Sequence, residues 1–213
     1  MRDFYSLTKR HKCWDAFTEW SYIQWAVPDN CILQSRDELV ALCEWIEEHE
    51  IRTYLEIGCW TGKLASLLHE LFAFDKLAVC DIGLCKKYQF DLELPQDADL
   101  FLGSSFSPEF LEWRAGLGPV DLVFLDADHT AQGLRADLAN NLRAGCRFLA
   151  IHDITSGLTG TQEVSALWQT LPGPKIEIVK PHSELGLDDS KTGIGILVIE
   201  NRPERVEEIL AAL

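Results

Sequence analysis

Apolar residues along this chain follow two rhythms that take turns. TYLEIG (53–58), KLAVCDI (76–82), DLFLGS (99–104), VDLVFLD (120–126) and CRFLAIHD (146–153) are short, nearly unbroken apolar runs that read as buried strands. Between them, apolar residues recur at three- and four-residue spacing and predict helices. One carries Leu39, Leu42, Cys43 and Ile46, preceded by Ser35 and Glu38 at capping-box spacing. Others carry Leu64, Leu67, Leu68 and Leu71, then Leu134, Leu138 and Leu142, then Val164, Leu167, Trp168 and Leu171, the last stopped by Pro172–Gly173–Pro174. KIEIVK (175–180) and GIGILVIE (193–200) predict two late strands, and Val206, Ile209, Leu210 and Leu213 mark a final amphipathic helix. Strands without alternation, separated by helices, imply a mostly parallel sheet covered on both faces. Ligands bind such sheets at the carboxyl ends of the strands, near the switch in strand order.

Residues 1–33 show neither rhythm and read as an irregular segment rich in aromatics: Phe4, Tyr5, Trp14, Phe17, Trp20, Tyr22 and Trp25. The chain therefore divides into an N-terminal segment, 1–33, and one domain, 34–213. The segment is expected to be a lid over the strand tips, an interface with a second subunit in a homo-oligomer, or a cover for one side of the domain.

A hydrophobic share of 47% supports a real core, and a formal charge of −15 repels phosphate backbones and anionic lipid. Nucleic acid and membrane surfaces are thus not the expected partners. No apolar run approaches the roughly 18 residues of a membrane span, and MRDFYSLTKRHKCWD lacks the apolar core of a signal peptide. The seven cysteines form no C-x-x-C pair and sit mostly in apolar segments, as small buried hydrophobes in a reducing, cytoplasmic setting.

Polar chemistry gathers at the predicted strand ends. In EIGCWTGKL (56–64) a dinucleotide fingerprint would need glycine where Trp60 and Lys63 stand. A P-loop would need one more residue between Gly58 and Gly62, and a hydroxyl where Leu64 stands. What remains is an acid followed by a glycine-framed turn. Gly58 permits a tight bend and Gly62 a close approach of backbone to a ligand at a helix start. Glu56 would repel phosphate but stabilise an ammonium or sulfonium. Asp81, at the end of the second strand, can accept two hydrogen bonds from ribose hydroxyls. At the next two strand tips, Asp126 and Asp153 can share one divalent cation, which relieves their mutual repulsion. Oxygen ligation favours Mg2+, Mn2+ or Ca2+ over Zn2+.

YLEIGCWTGKLASLL, AVCDIG, DLVFLDADHT and LAIHDI together resemble the successive motifs of class I S-adenosylmethionine-dependent methyltransferases. Within these the chain is most similar to small bacterial O-methyltransferases of the cephalosporin hydroxylase and sugar O-methyltransferase group, over residues 34–201. The resemblance implies an α/β, Rossmann-like, doubly wound fold: a mostly parallel seven-stranded sheet with an antiparallel late strand. It implies S-adenosylmethionine as cofactor, with Glu56, Gly58 and Gly62 along its amino acid moiety, Asp81 on the ribose, and Gly103, Ser104 and Ser105 beside the adenine. It implies methyl transfer (EC 2.1.1.-) to a hydroxyl of a small molecule such as a sugar or secondary metabolite. Catechol-type relatives hold a Mg2+-like ion on the acids matching Asp126 and Asp153; Mn2+ would serve as well. The chain departs from them at Ile154, where they carry asparagine. His129 stands where they carry a lysine base, and His152 is a further ligand or base whose ring strand alternation could turn away. Asp128 or Thr130 is expected to cap the helix near Ala131, with Asp128 preferred. His182 could face the acceptor pocket. The alternative reading is a methyltransferase-fold binding or scaffold protein without turnover.

Overall fold

The computed structural model describes residues 2–26, 28–155 and 160–213. Each apolar run becomes a strand one or two residues shorter than its sequence signal: β1 Thr53–Ile57, β2 Lys76–Asp81, β3 Asp99–Leu102, β4 Val120–Leu125 and β5 Cys146–His152. The late strands are β6 Lys175–Ile178 and β7 Ile194–Val198. They join in the order β3-β2-β1-β4-β5-β7-β6, all parallel except β7, which runs antiparallel to both its neighbours. Strand order reverses between β1 and β4, which opens a crevice above their carboxyl ends.

Helices cover both faces. On one lie α1 Phe4–Thr8, α3 Arg36–Glu48 and α4 Lys63–Phe72; their Phe4, Leu39, Leu42, Leu64 and Leu68 pack on Tyr54, Phe124 and Phe148 of the sheet. On the other lie α5 Pro108–Leu117, α6 Ala131–Ala144, α7 Gln162–Thr170 and α8 Pro203–Ala212; Phe110, Leu138, Trp168 and Ile209 pack there on Leu55, Val123 and Leu149. Alternation along each strand thus sends Tyr54 and Leu55, or Phe124 and Leu125, to opposite cores.

Four local expectations need correction. Residues 1–33 are not irregular throughout, because they hold α1 and α2 (Ala16–Trp25), capped by Asp3 and Asp15. Ser35 does occupy the cap position of α3, but its side chain makes no cap hydrogen bond. Its intended partner Glu38 is buried and accepts instead from Thr192 Oγ1 (2.7 Å), Gly193 N (3.0 Å) and Ser190 Oγ. Thr130, not Asp128, caps α6, accepting from Gly133 N at 3.0 Å, while Asp128 closes the preceding turn through Thr130 N. Helix α5 was missed altogether, although Ser107 before Pro108 is a cap followed by proline at the first helical position.

Candidate active site

The glycine turn after β1 is built around its own acid. Gly58 has φ +84°, and a Cβ there would stand 2.2 Å from the Asp126 carbonyl oxygen, so the turn and the β4 tip touch through backbone. The Asp81 carboxylate reaches under this turn: Oδ2 accepts from Cys59 N (2.9 Å) and Trp60 N (3.1 Å), and Oδ1 from Gly83 N (2.5 Å) and Leu84 N (3.4 Å). Asp81 thus shapes the loop in addition to facing the cavity. Gly62, by contrast, does not line the cavity; its missing Cβ makes room for Glu93 and Leu94. Glu56 is buried and accepts from Tyr54 Oη at 3.0 Å. Burial, reinforced by the nearby Asp126 and Asp81, pushes its carboxyl up to about 8.

The cavity above these tips has a volume of about 650 Å³. Gly58, Asp81, Gly103, Ser104 and Ser105 line one end, and Asp126, His129, His152 and Asp153 the other. Ser105 is buried there, whereas Ser104 is exposed and accepts from Phe106 N at 3.2 Å.

The acidic end arises from register. One step beyond the Leu125–Ile151 pair, the sheet sets Asp126 beside His152, on the same face as Phe124 and Ala150. Alternation therefore brings the His152 ring into the site and would send Asp153 out of it. Asp153 returns because its own φ is +64°, a left-handed conformation that aspartate tolerates better than most residues. His129 Nε2 lies 3.1 Å from Asp126 Oδ1 and 3.4 Å from Asp153 Oδ2. His152 Nδ1 lies 3.3 Å from Asp126 Oδ2 and 3.7 Å from Asp153 Oδ1, outside hydrogen-bond geometry. Both its ring nitrogens and Asp153 Oδ1 are buried without a hydrogen-bond partner among the described residues. One ligand atom each from Asp126, His152 and Asp153 falls within a span of 4.8 Å.

Charge is unevenly shared in this cluster. Burial alone would raise the Asp126 carboxyl, yet the His152 charge and the hydrogen bond from His129 hold it well below the usual range. Burial raises Asp153, and Asp126 adds to the rise. Burial opposes charge on His152, but the two carboxylates overcome it and push the imidazole up to about 10. His129 is raised against its burial by the same pair. Ile154 is buried in the core below and offers no ligand. The thiols contribute none either: burial pushes Cys13, Cys43, Cys80 and Cys146 up to about 12, so they stay protonated at neutral pH.

Gln34, Pro28 and Ile32 carried no sequence signal, whereas Trp14 and Tyr22 belong to the aromatic segment read as a lid, an interface or a cover. Gln34 is buried and donates through Nε2 to Asp126 Oδ2 at 3.2 Å. Trp14, Tyr22, Pro28 and Ile32 form an apolar wall. Trp60 Nε1 and Lys63 Nζ fasten this wall by donating to the carbonyls of Asp29 and Asn30, each at 3.0 Å. His182 takes no place in the cavity: its Nε2 lies 2.8 Å from the Trp14 carbonyl and holds the segment from behind. His11, His49 and His69 likewise lie outside the lining.

The fold is shared with solved methyltransferases. An O-methyltransferase from Bacillus cereus in complex with SAH has a TM-score of 0.56 at 14% identity, covering 87% of this chain and 98% of its own. TomG, an O-methyltransferase from Streptomyces achromogenes involved in tomaymycin synthesis and bound to SAM, has a TM-score of 0.55 at 16% identity, covering 93% and 90%. MycE, a methyltransferase of mycinamycin biosynthesis in complex with Mg and SAH, has a TM-score of 0.51 at 15% identity, covering 91% of this chain and 54% of its own. No protein-family model matches the chain, and no curated protein sequence matches it. The architecture is the Rossmann-like fold of class I O-methyltransferases, and at these identities the likeness is one of fold. Among the described residues no helix is long and apolar enough to cross a membrane.

Proposed function

We propose that the chain is an S-adenosylmethionine-dependent O-methyltransferase acting on a small hydroxylated molecule. The observation that carries this reading is one cavity with two chemically different ends. Its glycine-turn end pairs buried Glu56 with Asp81 and suits a cationic nucleoside; its other end sets carboxylates and imidazoles where an acceptor hydroxyl would arrive. Phosphate ligands fit poorly beside three acids.

Glu56 offers charge to the ammonium or sulfonium, and Gly58 lets the ligand lie against backbone. A carboxylate has about four acceptor directions, and Asp81 already receives four backbone N–H groups, so ribose hydroxyls are taken in place of the longest of them, from Leu84 N at 3.4 Å. Trp14, Tyr22, Pro28 and Ile32 form the wall that keeps water from the reacting atoms. In the transfer the sulfur–methyl bond breaks as the oxygen–methyl bond forms, in line, so alignment supplies much of the rate. With Nε2–H donated to Asp126, the acceptor proton passes to the other ring nitrogen of neutral His129, Nδ1, and Asp126 and Asp153 stabilise the imidazolium that results. Asp126, His152 and Asp153 are also fit to hold a divalent ion, since among the described residues buried ligand atoms there lack hydrogen-bond partners. Such an ion, when bound, orients the acceptor oxygen and lowers its pKa.

Calorimetry with S-adenosylmethionine tests the reading. The wild type is expected to bind, and Asp81→Ala to bind at least tenfold more weakly; equal affinity would sink the site assignment. A tritiated-methyl assay against hydroxylated metabolites, with and without chelator, follows. Binding without transfer to any acceptor would instead mark a scaffold.

A further inference from the structure

We propose that Asp126, His152 and Asp153 form a site for a first-row transition ion, between Mn2+ and Zn2+, with the His152 imidazole as a direct ligand that disfavours Mg2+. This rests on the metal-assisted form of the reading above but is tested by binding alone. Magnesium asks for oxygen ligands in near-ideal octahedra and parts reluctantly with its waters. Imidazole suits the borderline ions from manganese to zinc.

His152 is placed as a ligand: Nδ1, the nitrogen that faces both carboxylates as an ion pair, is the atom a cation between them would take. It ends β5, where its backbone is paired with Ile194 of β7, and its ring centroid lies 6.3 Å from that of Phe124. The residue is 4% exposed, and among the described residues neither ring nitrogen has a hydrogen-bond partner. A buried imidazole in that condition is costly unless something completes it. Nδ1 stands 3.3 and 3.7 Å from one oxygen of each carboxylate. Ligands at about 2.0–2.2 Å from a common ion are separated by about 3.0–3.5 Å. Ligation through Nδ1 leaves the neutral-ring proton on Nε2. Gln34 Nε2, donating to Asp126 Oδ2, orients one carboxylate from outside, as partners of metal ligands commonly do.

Every site of this kind prefers later ions to magnesium, so a tighter fit for cobalt in the wild type decides nothing. Two other readouts decide. Pulsed electron paramagnetic resonance on Mn2+-loaded wild-type protein is expected to show coupling to an imidazole nitrogen; Mn2+ bound with no nitrogen coupling, or no bound Mn2+, overturns the proposal. Titrations with Co2+ and Mg2+ then compare wild type with His152→Asp. The variant is expected to lower the Co2+/Mg2+ affinity ratio roughly tenfold or more, and an unchanged ratio overturns the assignment of His152. The spectrum needs no variant and so stands even if His152→Asp fails to fold. S-adenosylmethionine calorimetry on metal-free protein reports separately on the methyltransferase reading.

Discussion

Glu56 gives the sharpest link between structure and a measurable pH dependence. Its carboxyl is buried beside Asp126 and Asp81, with Tyr54 Oη the one donor to it among the described residues, and the charged form is disfavoured until about pH 8. In the unfolded chain the same group titrates at about 4.5. A group raised on folding holds its stabilising proton fully below the unfolded value and loses it as pH climbs to the folded one. The contribution of Glu56 to stability therefore falls from about pH 4.5 and is exhausted above about pH 8. At about 1.36 kcal/mol per pH unit this has a ceiling of roughly 5 kcal/mol, and an effect on the order of 2–5 kcal/mol is expected. Glu56→Gln keeps the shape and an acceptor for Tyr54 while removing the ionisation. Urea unfolding of both proteins from pH 5 to pH 9 measures it, because carboxyls common to both cancel in the difference. The variant should gain on the wild type steadily up to pH 8, and a difference that stays flat across that range would refute the burial argument. Under the proposed function, binding a sulfonium beside Glu56 should also release protons near pH 7, visible as a dependence of binding heat on buffer.

Two further outcomes are expected from the same fold. Gly58→Ala should cost about 1–2 kcal/mol for its left-handed φ and a further 1–3 for overpacking against the Asp126 carbonyl, whereas Gly186→Ala, also left-handed but in open space, should show only the first cost by thermal unfolding. Equal losses at both positions would dismiss the close approach of the turn to β4. Asp137 is buried on α6 with Oδ1 unpartnered, and burial pushes it up to about 7, so Asp137→Asn should raise the melting temperature at pH 8 and lose that advantage near pH 4; a gain that grows toward acid pH would contradict this.

The two-core α/β sheet was legible because unbroken apolar runs and three-to-four spacing are imposed by burial itself, and burial is what strands and helices here share. The acids at the strand ends were legible for the complementary reason: nothing in a buried strand's stability asks for Asp81 or Asp126. Other features depend on groups distant in sequence. The Ser35–Glu38 spacing promised a capping box, yet Glu38 met the 190–193 backbone and served that instead. His152 and Asp153 are adjacent in the chain, and only register with β4, together with the left-handed turn at Asp153, decides that both side chains share one side. Trp14, Tyr22, Pro28 and Ile32 carry no motif, since the segment that bears them is fastened over the cavity by hydrogen bonds from Trp60 and Lys63 to Asp29 and Asn30. The sequence by itself determined the layers and the chemistry available at their edge. The tertiary structure decided which of those groups face one another, because partners separated by 22 to 168 residues are chosen by packing and not by local pattern.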